Sequence, residues 1–154
     1  MRTNEEWMRE ALIEAEKARK VNEVPVGAVV VYQNELIARA HNLRERDQQA
    51  SAHAELLAIR AASEVLHTWN LENCDLYVTL EPCMMCTGAI GLARIRNLYY
   101  GTADPKGGCI DTLVQIKTMK HIGTYPKTVW TGVCQRECAQ ILTDFFAEKR
   151  KKHR

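Results

Sequence analysis

The stretch Leu76-Tyr77-Val78-Thr79-Leu80-Glu81-Pro82-Cys83-Met84-Met85-Cys86 decides how this chain is read. Leu76 to Leu80 is a short run with the β-branched and aromatic content of a strand, Glu81-Pro82 interrupts it, and the apolar residues from Cys83 to Ala93 predict a helix. A second strand-like run, Leu98-Tyr99-Tyr100, follows and Gly101 closes it. Strand, helix and strand in that order describe a crossover, and strands joined through a helix run parallel. Upstream, Trp7, Met8, Ala11, Leu12, Ala15 and Ala18 recur at helical spacing between Asn4 and Lys20. Gly27 to Tyr32, containing Ala28-Val29-Val30-Val31, reads as a buried strand, and Gln33-Asn34-Glu35 turns it into a second one, Leu36 to Ala40. Arg44 to Gln49 is polar loop, after which Ser51 is the expected cap of a helix that carries Ala54, Leu57, Ala58, Ala61 and Ala62 on one side and ends near Leu66. Downstream, Asp104 to Gly108 is loop by composition, and a helix at Thr112 to Met119, a strand at Thr128 to Thr131 and a helix from Gln135 to Lys151 complete the pattern. The sum is an α/β fold: a three-layer α/β/α sandwich with a central five-stranded mixed sheet, spanning residues 1–154 as one domain.

A chain of 154 residues suits one such core. Hydrophobic residues at 46% and charged residues at 26% exclude a disordered chain, and no apolar run approaches the roughly 20 residues that span a bilayer. The N-terminus is acidic and amphipathic, unlike a secretory signal, so the expectation is a cytoplasmic protein with no membrane contact. Net charge is +2, but residues 147–154 hold five basic side chains against the single acid Glu148, which puts +4 on a basic helix end and leaves −2 on the rest. Such a block is either a solvated helix terminus whose cations complement the dipole or a contact for a polyanion. Six cysteines without a secretory signal argue for reduced thiols or metal ligands.

Two segments carry the chemistry. His53-Ala54-Glu55 opens one helix and Pro82-Cys83-Met84-Met85-Cys86 opens another. Cys83 and Cys86, three apart in a first turn, share a face where free N–H groups and the dipole favour thiolates. With His53 they make three soft donors, the number a catalytic Zn²⁺ takes from protein when its fourth position is left to water, and the ion brings hydroxide within reach near neutral pH. Glu55 lies about 200° round an ideal helix from His53, so the two reach one point only where the helix has barely begun. It is assigned as a proton shuttle rather than a ligand. A lone C-x-x-C is commonly redox or structural, and a structural four-cysteine site would need Cys134 and Cys138; these two, with Cys74 and Cys109, read instead as buried apolar thiols. Met84 and Met85 read as packing, and His41, His67, His121 and His153 as ordinary polar residues.

The H-x-E and P-C-x-x-C pair is the known signature of zinc-dependent nucleobase deaminases. Within that group the chain resembles the bacterial tRNA adenosine deaminases, through Val24-Pro25-Val26-Gly27-Ala28, His41-Asn42, Ala52-His53-Ala54-Glu55, residues 76–86, Asp104-Pro105-Lys106-Gly107-Gly108 and Asp144-Phe145-Phe146. The resemblance covers nearly the whole chain apart from the first few residues and residues 116–129. It implies a cytidine deaminase-like fold, a homodimer, one Zn²⁺ per subunit held by His53, Cys83 and Cys86, and Glu55 moving protons. It also implies hydrolysis of adenosine at the wobble position (34) of a tRNA anticodon stem-loop to inosine. Asn42 and the backbone of Ala54 would hold the flipped base, Pro25 and Val26 would line its pocket, and Arg44, Asp104, Lys106, Phe145 and Arg150 would lie along the RNA surface. Residues 119–127 depart from the pattern, lacking the Asn-His-Arg stretch these enzymes usually carry there. The same zinc chemistry would serve a deaminase of free guanine, cytosine or a nucleotide, and a zinc-braced RNA module without catalysis would have no need of Glu55.

Overall fold

The computed structural model describes residues 1–116 and 125–153. Its elements are α1 (Asn4–Lys20), β1 (Gly27–Tyr32), β2 (Glu35–His41), α2 (Arg44–Asp47), α3 (Ala54–Leu66), β3 (Cys74–Leu80), α4 (Met84–Leu92), β4 (Asn97–Thr102), β5 (Thr128–Thr131) and α5 (Gln135–Lys152). The strands form a five-stranded sheet in the order β2-β1-β3-β4-β5. β1 pairs antiparallel with β2 and β3, whereas β3, β4 and β5 run parallel, as the helical crossover requires.

Alternation along the strands divides the core into two layers. Ala28, Val30, Leu76, Val78, Leu98 and Tyr100 face α3 and α4, where Ala54, Ala58, Ala62 and Ile90 are buried against them. Val29, Val31, Tyr77 and Tyr99 face the opposite way, onto Trp7, Met8 and Ala11 of α1 and Cys138 of α5. This is the expected three-layer sandwich. Fully burying side chains of this size contributes about 1.5–3 kcal/mol each. The parallel register sets Tyr77 beside Tyr99 and Tyr99 beside Trp130. Their rings stack, with centroids 4.3 Å apart for Tyr77 and Tyr99 and 6.4 Å apart for Tyr99 and Trp130. Among the described residues no helix is long and apolar enough to cross a membrane.

Several local expectations change. The helix expected after Ser51 begins later, at Ala54 with His53 as its N-cap, and Arg44–Asp47 of the polar loop forms a short helix. Gly101 does not end its strand, because β4 continues to Thr102 beside Leu80. Thr112 to Ile116 forms no α-helix, since its amides are spent on the Glu81 carboxylate and on local turns; the remainder of that expected helix, with His121, lies outside the described residues. Cys74, Cys109 and Cys138 are buried free thiols, whereas Cys134 is only half-buried, at the start of α5. His41 is not an isolated polar residue: its Nδ1 lies 3.1 Å from Glu14 Oε1.

Two contacts fix α1 on the sheet. Gly27 meets α1 so closely that a Cβ there would collide with the backbone carbonyl of Ala11. Gly27→Ala should therefore cost about 1–3 kcal/mol, because backbone cannot yield as a side chain can; urea unfolding measures this, and an unmoved midpoint would refute the close contact. Glu14 is the second contact, buried between α1 and β2 and bonded to Lys17 Nζ at 2.6 Å, Arg39 Nη1 at 3.2 Å and His41. Burial pushes its pKa up, but Lys17, His41 and Arg39 outweigh burial and hold it below the usual carboxylate range. A depressed folded pKa gives stability that is present above the unfolded value and lost as pH falls through the folded one. Glu14→Gln should therefore cost stability at pH 7 and little at pH 3, and equal losses in unfolding experiments at both would rule out the charged contact.

Candidate active site

The helices α3 and α4 start at the same place, at the end of the sheet where β3 finishes. His53 is the N-cap of α3 with extended backbone (φ −83°, ψ 149°), and Cys83 is the N-cap of α4 with nearly the same conformation (φ −77°, ψ 178°). Neither side chain makes the capping bond usual at that position. Both are turned instead toward a common point, joined there by the buried thiol of Cys86 from the first turn of α4. The extended backbone at His53 also lets Glu55, in the first turn of α3, reach the same point.

The donor atoms His53 Nδ1, Cys83 Sγ and Cys86 Sγ lie within 4.8 Å of one another. Zinc bonds of about 2.3 Å to sulfur and 2.0–2.1 Å to nitrogen, at tetrahedral angles, set neighbouring N and S donors about 3.6 Å apart. His53 Nδ1 stands 3.7 Å from Cys83 Sγ and 3.6 Å from Cys86 Sγ, so the three residues fit such an ion. Two thiolates and a neutral imidazole would balance its charge.

The electrostatics of the cluster are those of groups competing for protons. Hydrogen bonds from Cys86 and His53 hold the Cys83 thiol down to about 3, well inside the thiolate range. Cys86 moves up, because it donates to Cys83 and is desolvated beside Glu55, and His53 moves up beside Cys83. Glu55 is buried at 4% exposure, and desolvation pushes its carboxyl up to about 7 against the pull of its own backbone N–H and His53. A carboxyl in that range gives and takes protons readily near neutral pH.

A cavity of about 220 Å³ opens over this cluster. Val26, Asn42, Ala54, Arg44 and Asp104 line it, together with His53, Glu55 and Cys83. Pro25 is buried and is not among the lining residues, whereas its neighbour Val24 is. Asn42 is held by its own bonds, Nδ2 donating to Val24 O at 3.3 Å and Oδ1 accepting from Arg44 N at 3.2 Å. Lys106 and Arg150 are exposed outside the cavity, Lys106 on the loop that follows Asp104 and Arg150 in the last turn of α5. Phe145 is only 4% exposed and lies under Lys149, whose Nζ is 5.2 Å from its ring centre, so of the aromatic pair Phe146 is the one that faces solvent. Met84 and Met85 do not join the core of the chain: they are 72% and 39% exposed on α4.

Two glutamates escaped the sequence reading. Glu23 is buried and accepts from Glu45 N at 3.0 Å and Arg46 N at 2.9 Å, tying α2 and Arg44 to the cavity rim. Glu81 is buried beside Pro82 and accepts from Asp104 N, Ile110 N, Asp111 N and Thr112 N at 2.8–3.1 Å, and from Thr112 Oγ1. Nothing in spacing marks either residue; a Glu interrupting an otherwise apolar stretch is the nearest signal.

A family model for MafB19-like deaminases matches residues 2–150. The chain is 49% identical over 152 residues to the tRNA-specific adenosine deaminase of Bacillus subtilis (strain 168), covering 99% of this chain and 94% of that one. It is 46% identical over 144 residues to the enzyme of the same name from Agrobacterium fabrum, covering 94% of each chain. A solved structure from work on A-to-I editing by tRNA:A34 deaminases at the wobble position of transfer RNA superposes with a TM-score of 0.86 at 44% identity, over 89% of this chain and 99% of the other. The cluster of His53, Glu55, Cys83 and Cys86 at two facing helix starts thus stands in a chain that belongs to the tRNA-specific adenosine deaminase family.

Proposed function

We propose that this protein is a zinc-dependent hydrolase that converts adenosine at the wobble position (34) of a tRNA anticodon to inosine, releasing ammonia. The observation that carries the reading is the convergence of three soft donors beside the buried, proton-accepting Glu55 at the floor of a cavity. His53, Cys83 and Cys86 would hold one zinc ion per subunit. When bound, the ion supplies Lewis acidity that makes water a competent nucleophile near neutral pH. Glu55 takes a proton from the attacking water and passes it to the purine ring nitrogen beside carbon 6; it then takes the proton of the hydroxyl newly added at carbon 6 and delivers it to the amine, so that the carbon–nitrogen bond breaks, the carbonyl forms and ammonia leaves. Its burial keeps bulk water from taking over that proton traffic. Asn42 and the Ala54 backbone offer polar groups to the base edge, while Val24 and Val26 give apolar walls.

The cavity is smaller than the roughly 300–1,000 Å³ of drug-sized pockets, which suits a single nucleobase turned out of a loop. An anticodon loop presents such a base without the cost of opening a duplex. Arg44 and Asp104 line the cavity, and Lys106 with the basic last turn of α5, including Arg150, would meet the RNA backbone. A cytoplasmic setting follows from that substrate. The outer face of α4 supports a homodimer: Met84, Met85 and Leu92, the last 77% exposed, lie on a helix that is almost entirely apolar.

Inosine formation in an anticodon stem-loop with adenosine at position 34 tests the chemistry. Glu55→Gln at unchanged zinc content should lose about 10²–10⁴-fold in rate; deamination of free guanine or cytosine without any inosine would transfer the site to small-molecule metabolism. For the assembly, light scattering should give a dimer for the intact chain and a monomer for Leu92→Glu, and the same mass for both would exclude the α4 face.

A further inference from the structure

Resting on that reading, we propose that Glu81 is a positioning residue: its carboxylate clamps the loop of residues 103–112 to the turn that carries Cys83, and so sets the cavity rim for the RNA. Glu81 N donates to Thr102 O at 2.9 Å, which keeps the residue in the sheet while its side chain leaves the strand for the loop. There one oxygen accepts from Asp104 N at 3.1 Å and from Thr112 Oγ1. The other accepts from Ile110 N, Asp111 N and Thr112 N at 3.1, 2.8 and 3.1 Å. Four backbone amides at the two ends of one loop thus converge on a single carboxylate that is 2% exposed.

The next residue closes the same circle, since Pro82 O accepts from Cys109 N at 2.9 Å. Gly108 seals it from the other side: a Cβ there would collide with Glu81 Oε1. Asp104 lines the cavity, and its Oδ1 accepts from Lys106 N at 3.0 Å, so the loop's polar tip is built on the residue that Glu81 anchors. Of the donors only Cys83 stands next to the clamp, on the residue after Pro82; His53, Glu55 and Cys86 sit at the starts of α3 and α4, whose buried faces pack on the sheet. Loosening the clamp therefore moves the rim and leaves the reacting groups in place. The cost falls on substrate binding.

Two variants attack the clamp from opposite sides. Glu81→Gln turns an amide donor toward a row of N–H groups without changing size, and Gly108→Ala displaces the carboxylate without changing charge. Each should raise KM for the stem-loop roughly tenfold while kcat and zinc content stay within about twofold. The double variant should be no worse than the worse single one, because both act on one contact. Amide exchange at residues 104 and 110–112, slow in the intact protein, should accelerate at least tenfold in both variants. A fall in kcat together with zinc content at unchanged KM would overturn the proposal, because Glu81 would then be supporting the metal turn rather than the rim. Unaltered exchange would overturn it too. If the intact protein left the stem-loop unedited, the hydrolase reading would fail on that assay, and the exchange rates would decide separately whether the carboxylate holds the loop.

Discussion

Everything at this site depends on two helices beginning at one point with their N-cap side chains turned away from capping. A residue at that position normally spends its side chain on the free amides of the first turn. His53 and Cys83 turn theirs to the shared cluster instead, and there hydrogen bonds from Cys86 and His53 favour thiolate at Cys83. The sheet makes the meeting possible. Because β3 runs parallel to β4 and is followed by α4, the Glu-Pro break falls at the end of the sheet, where α3 also starts after the long return from β2.

Four glutamates are buried among the described residues, and they divide by their surroundings. Glu14 is met by cations and a histidine, Glu23 by two backbone amides, and Glu81 by four amides and a hydroxyl. Glu14 and Glu81 are held below the ordinary carboxylate range despite burial. Glu55 is pushed above it, because the groups around it are too few to offset desolvation. The same residue type therefore stands as a paired structural anchor in three places and as a carboxyl raised toward neutrality in one, and the number of donors aimed at it makes the difference.

The sequence announces the periodic parts of this fold and the Cys83–Cys86 pair, because both are local. The continuous apolar run Ala28-Val29-Val30-Val31 and the β-branched and aromatic content of Leu76 to Leu80 predict the strands, and the spacing of Cys83 and Cys86 predicts their shared face. Misreadings occur where a distant partner decides. Ser51 looks like the better cap than His53 until the thiols across the site are in view. Met84 and Met85 look like core because apolar residues usually are, yet α4 turns them outward. The segment after Asp104 could not be read from period at all, since its amides answer to a carboxylate more than twenty residues upstream.

The rim and the reacting cluster are fastened to different parts of the chain, one to loop amides gathered on Glu81 and α2 amides gathered on Glu23, the other to helix starts seated on the sheet. Such an arrangement lets variation act on the two separately. Changes in residues 103–112 or around Arg44 can redraw which molecules are admitted while the reactive groups stay intact, so a lineage built on this scaffold can acquire new substrates without passing through an inert ancestor.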